Sequence, residues 1–98
     1  MNSEYLDNKI CMHKFRSGYE PVLKEIFDLL GASLFFFVNS MINNRQQAED
    51  IVAESFTKLW RQRETFVELN NIKAYLYVIT RNACLDYLKH IKRKKFFA

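Results

Sequence analysis

The sequence predicts an all-α fold in which four helices pack into one compact domain. Its 98 residues are enough to bury a single hydrophobic core, and 49% of them are apolar, which argues against a disordered chain. Only two glycines and one proline are present, so the tight turns that join strands are scarce. Apolar residues instead recur at spacings of three and four, which is typical of helices. We therefore treat residues 1–98 as one domain.

The first helix is predicted over about residues 6–16, with Ile10, Cys11 and Phe15 on its apolar side. The second is predicted over about residues 20–42, and a proline near its start suits a first helical turn. Its apolar residues at helical spacing are Val22, Leu23, Ile26, Phe27, Leu30, Leu34, Phe37, Val38 and Met41.

The third and fourth helices are predicted over about residues 45–62 and 71–92. Asn44, followed three residues later by Gln47, resembles a capping box, and Asn70 is expected to cap the fourth helix. The inward stripes are Ala48, Ile51, Val52, Ser55, Phe56 and Leu59 in the third helix, and Ile72, Leu76, Ile79, Ala83 and Tyr87 in the fourth.

Charge is distributed unevenly along the chain. Residues 1–70 hold eight Lys or Arg and ten Asp or Glu, a net charge of −2, whereas residues 71–98 hold seven and one, a net charge of +6. Positive charge concentrated at one end of the chain indicates a surface that binds a polyanion, rather than charge that only keeps the protein soluble. A basic tail that is merely solvated is the alternative.

Patterns typical of enzymes, metal sites and membrane spans are absent from the sequence. His13 and His90 are isolated, and no glycine-rich phosphate loop or nucleophile motif occurs. Cys11 and Cys84 lack metal-ligand spacing, so we interpret them as buried or unreactive thiols in a reducing cytoplasm. The longest apolar run, residues 34–38, is far too short to cross a bilayer. We expect no catalysis, no cofactor, no metal and no membrane insertion.

A first candidate surface lies in the third helix, in the stretch QAEDIVAESFTKLW (residues 47–60). Asp50 and Glu54 are four residues apart and fall on one outward stripe, where a protein partner can reach them. The structural alternative is that carboxylates near a helix start complement the dipole and that Glu54 pairs with Lys58.

A second candidate surface lies in the following loop and in NIKAYLYVITRNACLDYLKHIKRKK (residues 71–95). Phe66, Tyr75 and Tyr77 offer flat faces for base stacking, although the two tyrosines are also ordinary candidates for the core. Asn82 lies seven residues after Tyr75 on nearly the same helical face, and its amide can donate to and accept from a base edge. The phosphate-contacting candidates at the helix end are Lys89, Lys92, Arg93, Lys94 and Lys95.

The order of residues in these two stretches resembles region 2 of bacterial RNA polymerase sigma factors, in the extracytoplasmic-function branch. Two sequence motifs carry the resemblance, AED-I-V-x-E-x-F-x-K-LW and YLY-x-I-x-RN-x-x-LDYL. The distance between them along the chain is the one that this family has. The likeness extends over about residues 15–95. It implies a four-helix region 2 domain, a cytoplasmic protein and a role in transcription initiation.

The resemblance implies that the third helix binds the clamp helices of the largest catalytic subunit of core RNA polymerase. Asp50 and Glu54 match the charged contacts, and Ala53 and Trp60 match flanking contact positions. The family usually has Gln where this chain has Ala53. Loss of that amide removes a possible hydrogen bond, of about 1 kcal/mol, so binding is expected to be weaker or to depend on neighbouring residues.

The resemblance also implies that the loop and the fourth helix open the promoter minus-ten element and hold bases flipped out of the non-template strand. Asn82 falls on the family's promoter-contacting asparagine, and Tyr75 stands where many members carry Trp, which keeps a stacking face. The resemblance also allows an anti-sigma factor as a further partner, although the sequence does not identify one.

Family members carry a second, helix-turn-helix domain, region 4, for which this chain leaves no room. We therefore expect the 98 residues to be a domain or a truncated product. A helical adaptor module that binds a protein partner without DNA recognition is the main alternative function. A membrane-surface protein that uses its basic tail is a third.

Overall fold

Four helices and one short 3₁₀ turn form the described part of the chain. A computed structural model describes residues 10–97, with side-chain exposure as far as residue 95. The helices are α1 (Met12–Arg16), α2 (Glu20–Ile42), α3 (Arg45–Arg61) and α4 (Leu69–Phe97), and the 3₁₀ turn covers Arg63–Thr65. The all-α prediction is confirmed, since no strand occurs among residues 10–97.

The core lies where α2, α3 and α4 pack against one another, and α1 contacts α2 and the 3₁₀ turn. Leu34, Leu59 and Ile72 contribute one fully buried aliphatic side chain from each long helix. The buried stripe of α3 is the one predicted, residue for residue. Burial of each large aliphatic side chain stabilises the fold by about 1.5–3 kcal/mol, so these stripes fix the arrangement of the three long helices.

A short connection joins α2 to α3. Asn43 ends α2 in the left-handed conformation, with a φ of 49°, and its N–H donates to the carbonyl oxygen of Asn39 at 2.8 Å. Asn44 caps α3 as predicted, because its Oδ1 accepts a hydrogen bond from the N–H of Gln47 at 3.0 Å. The turn is so short that α2 and α3 run as antiparallel neighbours with a groove between them.

The first helix is shorter than predicted within the described residues. It begins at Met12, and Cys11 is its N-cap residue, with an exposed side chain. The expectation that Cys11 lies on the inward side is therefore wrong, whereas Ile10 and Phe15 are buried as predicted. Residues 6–9 of the predicted helix lie outside the described residues.

The fourth helix begins two residues earlier than predicted and continues to Phe97 instead of residue 92. The prediction that Asn70 caps it is wrong, because Asn70 is already helical. Asn71 instead reaches back, and its Oδ1 accepts a hydrogen bond from the N–H of Glu68 at 3.1 Å. A capping box contains two hydrogen bonds, and this is the one in which the side chain at the third helical position accepts from the N–H of the residue before the helix.

The inward stripe of α4 is also rotated from the prediction. Thr80 and Cys84 are fully buried, whereas Ile79 and Ala83 are only half-buried. The buried hydroxyl is tolerated because Thr80 Oγ1 donates to the carbonyl oxygen of Leu76 at 2.7 Å. A polar side chain whose hydrogen bond is made within its own helix can thus occupy a core position.

Candidate functional site

The outer face of α3 carries the two carboxylates that the sequence singled out. Asp50 and Glu54 are both exposed and lie one helical turn apart. Gln46 Nε2 donates to Asp50 Oδ1 at 3.1 Å, and Lys58 Nζ lies 3.8 Å from Glu54 Oε1. These are solvent-exposed contacts that contribute little to stability. Both carboxylates are therefore accessible to a basic partner.

Ala53 and Trp60 lie on α3 beside these carboxylates. Ala53 is exposed, and Trp60 is half-buried. The Trp60 ring is held by an edge contact with Phe15 of α1, at 5.7 Å between ring centroids, and by the guanidinium of Arg63, 4.6 Å from the ring centroid. The indole is therefore fixed in place by α1 and the 3₁₀ turn.

An arginine that the sequence patterns did not single out fixes the loop between α3 and α4. Arg16 Nη1 donates to the carbonyl oxygen of Phe66 at 2.9 Å and to that of Val67 at 3.0 Å. The contact joins residues fifty positions apart, so no periodicity or local motif points to it. Its consequence is that α1 positions the loop that precedes α4.

Phe66 does not offer a stacking face in this structure. Its side chain is only 7% exposed and belongs to the hydrophobic core, where its ring meets the edge of Tyr75 at 5.1 Å. The expectation of an accessible Phe66 ring is therefore corrected, because the loop folds inward at this residue. The loop instead exposes the next side chain, Val67, at 74%.

Tyr75 and Tyr77 are both half-buried and pack against the core. The ring of Tyr77 meets Phe37 of α2 in an edge contact at 5.2 Å. Both tyrosines therefore contribute to the core, which was one of the two roles that the sequence allowed for them. Each also keeps part of its side chain exposed, so a stacking role for them stays a prediction.

Asn82 is exposed on α4, on nearly the same face as Tyr75. Val78 lies between them and is 58% exposed. Lys89 is exposed one heptad beyond Asn82. This face therefore offers, in order along the helix, an aromatic ring, an apolar side chain, an amide and an ammonium group.

The basic end of α4 presents an exposed positive surface. Lys89 and all four residues of the range 92–95 are exposed. The ion pairs among the described residues involve α2 and α3 only, and none involves this cluster. The charge exceeds what is needed to complement the negative end of one helix, so the cluster is free to meet an anion.

The two thiols differ in environment. Cys11 is exposed, and Cys84 is buried between the helices. Burial raises the pKa of the Cys84 thiol above its ordinary value, since the thiolate is poorly solvated there. Within residues 10–97, no three His, Cys, Asp or Glu side chains gather as metal ligands. In the same range, no helix is both long and apolar enough to span a membrane.

Comparison with known proteins gives two matches. The family model described as sigma-70 region 2 matches residues 26–94. The chain is also 25% identical, over 72 residues, to the ECF RNA polymerase sigma factor SigM of Bacillus subtilis (strain 168). That alignment covers 74% of this chain and 44% of SigM, so the chain spans less than half the length of this relative. No solved structure matches the chain significantly.

Proposed function

The chain belongs to the sigma-70 region 2 family as a region 2 domain of an extracytoplasmic-function sigma factor, and from this premise we propose how its two surfaces serve transcription initiation. The outer face of α3 docks on core RNA polymerase, at the clamp helices of the largest catalytic subunit. The loop after α3 and the exposed face of α4 capture the melted non-template strand of the minus-ten element. In this proposal the protein acts in the cytoplasm and has no catalytic role.

One observation carries this proposal: two exposed carboxylates and a cluster of exposed basic side chains lie on different helices of one small domain. Asp50 and Glu54 are exposed on α3, and the ammonium and guanidinium groups of residues 89–95 are exposed on α4. A domain that must hold a protein and a nucleic acid at once needs two separate surfaces, and the basic one attracts nucleic acid by charge. An adaptor that binds protein alone has no need of the second surface.

Docking on polymerase is assigned to Asp50, Glu54, Ala53 and Trp60. The carboxylates supply charge that steers a basic partner and sets its register. Trp60 is held by Phe15 and Arg63, so little side-chain entropy is lost when a partner packs on it. A prearranged aromatic of this kind is typical of a residue that contributes strongly to binding.

Strand capture is assigned to α4. Tyr75 offers the exposed part of its ring for stacking, Asn82 reads a base edge, and Tyr77 borders them. Lys89, Lys92, Arg93, Lys94 and Lys95 contact phosphates and position the strand without reading its sequence. Phe66 acts through Tyr75, against which it packs, and takes no base itself.

The experiment that tests the proposal uses the 98-residue chain and purified bacterial core RNA polymerase. Core is first captured on the immobilised chain, and the complex is then titrated with fluorescent single-stranded oligonucleotides that carry minus-ten or scrambled sequences. We expect core to be captured and the minus-ten strand to bind more tightly, with affinity falling as salt rises. Core capture without any preference for sequence would favour the adaptor, and absence of core capture would overturn the proposal.

A further inference from the structure

Val78 is the large apolar side chain that α4 exposes most within residues 69–95, at 58%. It belongs to the outermost row of the helix, in which Ala74, Val78 and Asn82 follow one another at four-residue steps and are all exposed. Tyr75 lies three residues before Val78, on a neighbouring row. A strand held by the Tyr75 ring and the Asn82 amide therefore crosses the isopropyl group of Val78.

The fold gives no reason for a valine at this position. Among the described residues, Val78 belongs neither to the buried core nor to the partly buried side chains packed against it. Valine is also a poorer helix former than alanine or lysine, because its branched side chain loses rotamer freedom in a helix. A single exposed apolar residue is common on protein surfaces, but this one lies between two groups that are proposed to contact bases. Its position therefore points to a contact with the bound strand.

The chemistry of the side chain selects what it contacts. An isopropyl group neither donates nor accepts a hydrogen bond, and it disfavours a phosphate or a base edge whose polar groups it would remove from water. Of the four DNA bases, only thymine carries a methyl group on its edge, at C5, and apolar side chains are suited to contact it. We propose that Val78 is a specificity-determining residue that contacts the C5 methyl group of a thymine in the minus-ten element.

The inference rests on the proposed function and adds a base identity that Asn82 alone does not determine. Val78 and Asn82 are about 6 Å apart along the helix axis, since four residues rise by about 1.5 Å each. They therefore contact neighbouring nucleotides of the strand. Asn82 reads one base through hydrogen bonds, and Val78 reads the next through its methyl group. Val78 discriminates against cytosine, which lacks the methyl group and carries a polar amino group on its edge.

Replacement of thymine by uracil is the sharpest test, because it removes the methyl group and leaves the hydrogen-bonding groups of the base in place. The core-bound 98-residue chain is titrated with fluorescent single strands that carry the minus-ten sequence, in which each thymine is replaced in turn. We expect one replacement to weaken binding by about two- to fourfold, as for one methyl group removed from an apolar contact, with an unchanged salt slope. If no replacement changes the affinity of a strand that is still preferred over a scrambled one, Val78 does not read a methyl group. Absence of that preference would overturn the proposed function instead.

Val78→Ala assigns the methyl contact to this side chain. The substitution removes no core contact and improves helix propensity, so the variant is expected to fold. We expect it to bind the thymine and uracil strands with equal affinity. Phe36→Ala is the matched control, since it removes an apolar side chain that is 76% exposed on α2, a helix with none of the proposed DNA-binding residues; it should discriminate like the wild type. If Val78→Ala still distinguishes thymine from uracil, another side chain contacts the methyl group and the inference is overturned.

Discussion

The guanidinium of Arg16 donates one hydrogen bond to the carbonyl oxygen of Phe66 at 2.9 Å and another to that of Val67 at 3.0 Å. A side chain of the short α1 thereby fixes the loop that leads into α4. Phe66 in turn packs against Tyr75, which lies on the proposed strand-capturing face. Through these contacts α1, which carries none of the proposed DNA-binding residues, sets the position of one of them.

Arg16→Ala is expected to lower the free energy of unfolding by about 1–2 kcal/mol, since it removes charge-assisted hydrogen bonds to two carbonyl groups, one of them partly buried. Urea denaturation measures the change. The loosened loop is also expected to weaken binding of the minus-ten strand by the core-bound domain. Lys14→Ala, which removes a neighbouring exposed cation, is the control. If both substitutions lower stability and strand binding equally, the loss of a positive charge, and not the loss of the two hydrogen bonds, explains the effect.

Asp50→Ala combined with Glu54→Ala is expected to abolish core binding while the melting temperature stays nearly unchanged. Both carboxylates are exposed, and exposed charges contribute little to stability. Core capture and thermal denaturation followed by circular dichroism measure the two quantities. Glu25→Ala combined with Asp86→Ala removes the same charge from other exposed positions and should leave core binding intact. Normal core capture by the first pair would show that polymerase docks elsewhere.

Replacement of Lys92, Arg93 and Lys94 by Gln is expected to weaken DNA binding for every sequence and to flatten its salt dependence. On a single strand, each phosphate that is no longer neutralised reduces the steepness of log K against log salt by about 0.7. Titrations of core-bound domain at several salt concentrations measure the slope. A matched triple variant, Lys24→Gln, Arg45→Gln and Lys58→Gln, removes three exposed cations from α2 and α3. This control variant should leave the salt slope unchanged. If it flattens the slope as much as the first variant does, the change in net charge, and not the loss of phosphate contacts, causes the effect.

Asn82→Ala is expected to relax the preference for the minus-ten sequence without changing the salt slope. Asn82 is exposed on nearly the same face as Tyr75, so a base stacked on the ring lies within reach of the amide. Loss of the contact between an asparagine amide and a base edge costs about 1–3 kcal/mol for the correct base and little for others. Fluorescent oligonucleotides bound by the core-associated domain provide the measurement. Equal losses of affinity for promoter and scrambled strands would assign Asn82 to the backbone or the fold, and an unchanged preference would exclude it from the site.

The two thiols are expected to react at very different rates. Cys11 is exposed, whereas Cys84 is buried and its pKa is raised by that burial. With a disulfide reagent such as DTNB under native conditions, we expect one thiol to react at once and the second only as the protein unfolds. Cys11→Ser should remove the fast phase and leave the slow one. A fast phase in that variant would show that the region of α4 around Cys84 opens readily.

The sequence by itself determined the fold class, the three long helices and the inward stripe of α3. These features are encoded locally: apolar spacing defines a helix face, and Asn44 with Gln47 defines a helix start. It was less informative for α4, where Thr80 is buried although polar. In α3 the apolar residues around Ser55 define one register, so that serine was correctly placed inward, whereas in α4 the apolar run of residues 75–79 leaves the register open and Thr80 was missed.

Only the tertiary structure decided which aromatic rings are accessible and what surrounds the candidate site. Phe66 and Val67 are both apolar loop residues in the sequence, but one is buried against Tyr75 and the other is exposed. The contact of Arg16 with this loop and the groove between α2 and α3 both join residues far apart in the chain. Such features depend on how whole helices pack, and a packing arrangement leaves no periodic signal in the residues that meet across it.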